Sequence, residues 1–350
     1  MLESKSYIAT PPGATIKEQL DDYGMTQKEF ARRMGLSEKH VSQLINGTVR
    51  LTPDVAERLE LVLGIPARFW NTLEAIYQEK LIKAKRENEL EKEIEIAKKY
   101  PYKSIAEWGM VADTTKSEEK VKNLCKYFGV HTLEKVHMFM PIACRRLAET
   151  EKSTYATWTL AQYAKHKAGE IEVETFSRNK LVNALPEIRK MTLYRSTAFA
   201  KQLEAVLAQC GVALVYLPRL QGSFLHGITF YDDNKNKIVL GVTMRGKYAD
   251  KFWFSLFHEI AHILEGHIYR GRGISEEEEK QADVIAANIL IPEDKMQQFI
   301  GRGDYSIASI AQFAETIGVQ QGIVIGRLQN DKQLDYRQFN QYKVKYDSIA

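Results

Sequence analysis

The sequence predicts a mainly α-helical chain with a small β-sheet, an α+β organisation, on three observations. Capping residues and helix breakers alternate at short intervals between Thr15 and Gly64. Runs of β-type residues with turn chemistry between them concentrate from Val212 to Val242. Helical spacing returns at Tyr248 and carries His258-Glu259-Ile260-Ala261-His262 inside an apolar run.

At 350 residues the chain has room for two or three domains. A composition of 44% hydrophobic and 27% charged residues is that of an ordinary protein with packed cores. No apolar run approaches a membrane span, and the opening MLESKSYIATPPG lacks the apolar centre of a signal peptide. The expected location is therefore cytoplasmic, with no membrane partner. Cys125, Cys144 and Cys210 are odd in number, widely spaced and outside any C-x-x-C, as expected of reduced thiols used as small core residues. The net charge of +4 is mild, so any nucleic-acid signal must be local. It is local: between Thr26 and Arg50, Lys28, Arg32, Arg33, Lys39 and Arg50 face only Glu29 and Glu38.

Residues 11–78 read as a five-helix unit. Thr15 and Glu18 fit a capping box for a first helix ending at Gly24. Thr26 opens a second helix, Gln27 to Met34, broken by Gly35, and Ser37 caps a third, Glu38 to Ile45, ended by Asn46-Gly47. Thr52-Pro53 starts a fourth that closes at Gly64, and Phe69, Trp70 and Leu73 extend the core into a fifth. Residues 79–100 lie in an alternating Glu/Lys run that reads as a solvated connecting helix laced with i,i+4 pairs, or as one that also mediates dimerisation. Pro101 marks a boundary, and residues 101–194 read as a helical middle region without a catalytic constellation. Lys116 to Phe128, Thr157 to Ala168 and Thr197 to Cys210 have helical apolar spacing. Val212 to Pro218 is a β-prone run, and the runs 227–231 and 237–242 flank Asp232 to Asn236 as a hairpin, the second run offering an edge for an extended peptide. Helices follow from Tyr248 to Glu265, from Glu276 to Leu290, from Ser306 to Ile317 and from Gln320 to Leu328.

Two histidines four residues apart share one helix face, so His258 and His262 can grip a single Zn²⁺. Glu259 can take the proton of a water at the metal, making a hydroxide nucleophile. A third ligand is needed. Gly266 separates His267 from the motif and puts it out of step, so a loop histidine near the site is the better description of it. Glu279 and Asp283 share one face of the next helix: Glu279 would bind metal and Asp283 would receive the outer N–H of a ligating imidazole. Glu276 to Glu278 fit a solvated acidic first turn. For the oxyanion, His226, Tyr231 and Tyr269 are all candidate donors, and the sequence does not rank them.

Residues 11–78 resemble the Xre/Cro-type helix–turn–helix of HigA-like antitoxins. The resemblance rests on Pro12-Gly13, Thr26-Gln27-Lys28-Glu29-Phe30-Ala31, Gly35-Leu36-Ser37, Ser42-Gln43-Leu44-Ile45-Asn46-Gly47, Leu51-Thr52-Pro53 and Phe69-Trp70-Asn71-Thr72-Leu73. It implies a recognition helix in the major groove, with Lys39, His40 and Gln43 at base edges, Ser42 near the backbone, and Gln27 and Arg50 on phosphates. Residues 195–300 resemble the ImmA/IrrE metallopeptidases, a small gluzincin-like fold, through the aromatic approach from Asp250, the His258–His262 motif and Glu279-Lys280-Gln281-Ala282-Asp283 with its apolar run to Pro292. Val284-Ile285 stands where that family more often has an aromatic residue. Residues 301–350 follow as a helical extension. Together the resemblances imply a DNA-binding regulator of antitoxin or mobile-element type, dimeric on its own operator. It would hold one Zn²⁺ per chain and cleave or control a partner such as a repressor or a cognate toxin. The rival reading is a non-proteolytic repressor or antitoxin whose metallopeptidase-like domain senses or binds a partner.

Overall fold

A computed structural model describes residues 2–140, 151–195, 197–223, 225–233, 236–243, 248–269 and 274–346. Cys144 and the expected hairpin tip at 234–235 lie outside the described residues. Two compact units divide the chain, Met1–Ile96 and Ala97–Ala350.

The first unit opens with a short antiparallel pair, β1 (Leu2–Glu3) and β2 (Ile8–Ala9), that no expected element anticipates. Helix α1 (Pro12–Asp22) starts at Pro12, because proline's fixed φ suits a first turn. Thr15 and Glu18 therefore sit inside the helix, and the expected capping box does not form. Helices α2 (Gln27–Met34), α3 (Glu38–Ile45) and α4 (Pro53–Leu63) each begin on a hydroxyl cap: Thr26 accepts from Glu29 N, Ser37 from His40 N and Thr52 from Val55 N. Gly35 and Gly64 end α2 and α4 in the left-handed conformation. Gly13 is required for another reason: a Cβ there would lie 2.2 Å from the Ile45 carbonyl oxygen, so α1 can rest on the end of α3 only through a glycine. The expected fifth helix and the charged run are one continuous helix, α5 (Ala67–Ala97), in a stretch without glycine or proline. Trp70 is fully buried in the core of α1 to α4, whereas Phe69, expected in that core, is 45% exposed.

In the second unit, α6 (Tyr102–Glu107), α7 (Ser117–Phe128), α8 (Val136–Phe139), α9 (Glu151–Gly169), α10 (Arg178–Lys190) and α11 (Ala200–Gln209) precede the sheet. Strands β3 (Val212–Leu217), β4 (Gly227–Asp232) and β5 (Lys237–Thr243) are ordered β3-β5-β4, with β5 parallel to β3 and antiparallel to β4. The β4–β5 hairpin was expected. Its second strand, however, is central and paired on both sides, so it offers no edge to a peptide; among the described residues β3 and β4 are the edge strands.

Alternation along the strands gives the sheet two buried faces. Val212, Leu214, Ile238, Leu240 and Val242 face the core that contains α12 (Ala249–Leu264). Ala213, Val215, Ile228, Phe230 and Val239 face the small residues Ala156, Ala161 and Ala164 of α9. The rest of the unit is helical: α13 (Glu276–Leu290), α14 (Glu293–Ile300), α15 (Ile307–Ile317) and α16 (Gln321–Asn330). The last described residues return to α12. Ala249 N donates to Val344 O at 2.9 Å, and the buried Tyr346 hydroxyl accepts from Trp253 Nε1 at 2.8 Å. Among the described residues no helix is long and apolar enough to cross a membrane.

Candidate metal centre and nucleic-acid interface

Helix α12 is buried on nearly every side, with Trp253, Leu256, Phe257, Ile260 and Ala261 all inaccessible. Its two histidines stand one turn apart with ring centroids 4.7 Å from each other. Helix α13 is held at its start by a capping box, in which Ser275 Oγ accepts from Glu278 N at 3.3 Å and Ser275 N donates to Glu278 Oε2 at 2.7 Å. Glu278 is thus buried, against the expectation of a solvated turn, while Glu276 and Glu277 are exposed. The cap fixes the phase of α13 and turns Glu279 and Asp283 toward α12.

Three ligand-type atoms converge there. His258 Nε2 lies 3.0 Å from His262 Nε2 and 3.1 Å from Glu279 Oε2, and His262 Nε2 lies 3.6 Å from the same carboxylate oxygen. Those separations match the edges of a tetrahedron built on metal–ligand bonds of about 2.0–2.2 Å, so the donor set fits a metal ion. The two outer nitrogens are also held. His258 Nδ1–H donates to Asp283 Oδ1 at 2.8 Å. His262 Nδ1 lies 2.9 Å from Nδ1 of the buried His267, in the single turn His267–Tyr269. For His262 to present a lone pair at Nε2 its proton must sit on Nδ1, with His267 Nδ1 accepting. His267 thus faces the outer nitrogen of His262 and lies outside the group formed by His258, His262 and Glu279.

Glu259 lies on the sheet side of the same group. Its carboxylate is buried and accepts from Thr229 Oγ1 at 2.6 Å. A Cβ on Gly227 would lie 2.4 Å from Glu259 Oε1, so the glycine makes the space that the carboxylate fills. Both residues lie on one face of β4, and sequence reading missed both. Burial pushes the Glu259 pKa up, against the pull of His258, the Thr229 hydroxyl and His262. At His258 burial acts downward, but hydrogen bonds to Asp283 and Glu279 outweigh it and hold the imidazole at about 10. At Glu279 burial acts upward and is outweighed by the hydrogen bonds to His258 and His262, which hold the carboxyl at about 2. Without an ion the centre therefore keeps a proton on the imidazole pair.

A cleft of about 300 Å³ opens over these groups, lined among others by His226, Gly227, Thr229, His258, Glu259 and Glu279. Of the three candidate oxyanion donors only His226 lines it. Tyr231 donates to Asn236 and packs against Tyr269, with centroids 5.3 Å apart.

In the first unit Lys39 lies on the exposed side of α3, with His40, Ser42 and Gln43 half-buried beside it. Gln27 is exposed at the start of α2. Arg50 is exposed beyond α3, with its Nη2 3.4 Å from Gln78 Oε1. The opposite side of α3, Val41, Leu44 and Ile45, enters the core. The helix thus presents one polar face.

The helix-turn-helix family profile matches residues 16–70, and that of a peptidase family, described as the IrrE N-terminal-like domain, matches residues 245–329. The chain belongs to the DNA-binding helix-turn-helix regulators and carries an IrrE N-terminal-like domain in its C-terminal part. It is 36% identical over 63 residues to YddM, an uncharacterized HTH-type transcriptional regulator of Escherichia coli, a match that spans 18% of this chain and 67% of YddM. Among solved structures it is similar to a proposed antidote protein of a plasmid maintenance system from Nostoc punctiforme, at 30% identity and a TM-score of 0.23 over 24% of this chain and 91% of that one. An addiction module antidote protein of a HigA family from Coxiella burnetii matches at 27% identity and a TM-score of 0.22, over 24% of this chain and 92% of that chain.

Proposed function

We propose that this regulator is also a zinc-dependent endopeptidase that cleaves or controls a partner regulatory protein, a repressor or a cognate toxin. The observation that carries the reading is the convergence of His258, His262 and Glu279 within 4.8 Å of one another, with Glu259 buried beside them. These three residues would hold one zinc ion per chain, which supplies Lewis-acid polarisation of the peptide carbonyl and a more acidic water. Asp283 and His267 fix the tautomers of the two imidazoles. Glu259 takes the proton of the attacking water as the C–O bond forms, and delivers it to the amine nitrogen as the C–N bond breaks. His226, which lines the cleft, would donate to the oxyanion. Thr229 and Gly227 hold the base in position.

The first unit would read its own operator as a homodimer, with Lys39, His40 and Gln43 at base edges, Ser42 near the backbone, and Gln27 and Arg50 on phosphates. Metal analysis of the purified chain should give about one zinc per chain, lost in His258→Ala; equal absence from both proteins removes the centre. Glu259→Gln should keep the metal and abolish cleavage of the partner protein. An unchanged cleavage pattern would show that proteolysis is not what this part of the chain does.

A further inference from the structure

Beside the metal cleft lies a larger recess of about 950 Å³, and the two meet at His226, Phe254, Ser255 and Asp283. Its other walls come from the first turns of α12, the middle of α13, α16 and the segment from Tyr336 to Lys343. Tyr336 and Asn340 follow the residues matched by the peptidase-family profile, so this wall belongs to the chain's own C-terminal extension.

One face of α12 joins the centre to the recess. Lys251, Phe254, Ser255, His258 and His262 recur at helical spacing, so their side chains form a single row. Phe254 stands next to the centre, its ring centroid 6.4 Å from that of His258. With Tyr248, Val284, Leu290 and Ile323 it gives the recess a largely apolar lining. Most of the charges around it are already committed. Asp250 accepts from Lys343 Nζ at 2.7 Å, and Arg327 donates to Asp331 at 2.5 Å and to Glu293 at 3.0 Å. Asp283 accepts from His258. Lys251 lines the recess, is exposed and, among the described residues, has neither a hydrogen bond nor an ion pair. It precedes His258 by seven residues, a rise of about 10 Å along the helix. An extended chain advances about 3.3 Å per residue, so it covers that distance in about three residues.

Resting on the reading of the centre as a zinc endopeptidase, we propose that the recess selects the substrate segment on one side of the scissile bond. It takes a large apolar side chain next to that bond, against Phe254, and pairs Lys251 with a carboxylate about three residues away. Next to the metal an acidic side chain would face Asp283, so a carboxylate is favoured only at the far end. The preferred substrate is therefore a polypeptide with an apolar residue at the cut and an acidic residue spaced from it.

Metal-anchored probes test this without turnover. The zinc-loaded full-length protein is titrated with acetohydroxamate and with two series of tripeptides, one carrying a hydroxamate at the carboxyl end and one at the amino end. Each has phenylalanine next to the hydroxamate and glutamate, glutamine or lysine in the third position. In one series the glutamate peptide should bind about fivefold or more tighter than the lysine peptide. Lys251→Arg should keep that preference, and Lys251→Glu, a change that suits the first turn of a helix, should reverse it. Glycine in place of the phenylalanine should weaken binding about tenfold or more. Equal binding of the three third-position peptides in both series, a preference unaltered by Lys251→Glu, or indifference to the phenylalanine would each overturn the assignment and leave the metal centre standing. Failure of acetohydroxamate to bind would instead remove the zinc centre, and this assignment with it.

Discussion

Glu259 owes its position to residues that sequence spacing does not connect to it. The Gly227 Cα faces the carboxylate so closely that Gly227→Ala would put a methyl 2.4 Å from Oε1. The carboxylate would have to swing away, and cleavage of the partner protein should fall about 100-fold with metal content unchanged, the scale expected when a reacting group is displaced by about 1 Å. His267→Phe removes the acceptor that fixes the His262 tautomer, and the affinity for zinc in competition with a chelator should drop about 10- to 100-fold. The metal-free centre holds its proton on His258 at about 10 and keeps Glu279 ionised, with its pKa at about 2. An ion must displace that proton, so metal affinity should rise by about tenfold per pH unit between about pH 6 and pH 8 and weaken again as pH falls. Affinity that stays flat over that window would show the imidazole to be already neutral. At this scale His258, His262, Glu279 and Asp283 could be picked out because helix periodicity puts each pair on one face of its own helix. Gly227, Thr229 and His267 could not, because their proximity is created by strand-to-helix packing and by a turn after Gly266. A glycine that makes space leaves no mark distinguishing it from a glycine that makes a turn.

Among the elements, the short helices of the first unit were readable because their boundaries are written locally, in Thr26, Ser37, Thr52 and the glycines that follow each helix. Ser37→Ala should lower the stability of the Met1–Ile96 unit by about 1 kcal/mol, seen as an earlier denaturant midpoint. Gly13→Ala should cost more, about 1–3 kcal/mol, because the new methyl meets backbone that cannot rotate away. The start of α1 and the length of α5 were misjudged for complementary reasons. Thr15-x-x-Glu18 is a competent capping pattern overruled by two prolines just before it. Nothing between Ala67 and Ala97 stops a helix, although its composition changes abruptly. Strand order was a harder matter. The hairpin is a local feature, but the parallel pairing of β3 with β5 comes from distant packing, and that pairing is what turns the expected edge strand into a central one.

For the whole molecule, the division at 96/97 places all the proposed DNA contacts in one unit and all the proposed metal ligands in the other. Each unit has its own core, so a fragment ending at Ala97 should fold and bind operator DNA with an affinity that falls steeply with salt. Lys39→Ala and Gln43→Ala should weaken that binding, while Glu259→Gln in the full chain should leave it unchanged. Salt-independent binding by the fragment would argue against phosphate contacts. The helical middle region was legible as helices but not as to purpose, since nothing in residues 151–169 declares what they cover. Helix α9 lies against Ile228 and Phe230, on the reverse face of the strand whose front face carries Gly227 and Thr229. A single layer of backbone thus separates the small-residue stripe of α9 from Glu259. Enlarging Ala161 or Ala164 would press on that strand from behind, so variation in this quiet stretch of sequence can shift Glu259 without a substitution near any residue of the His258–His262–Glu279 group.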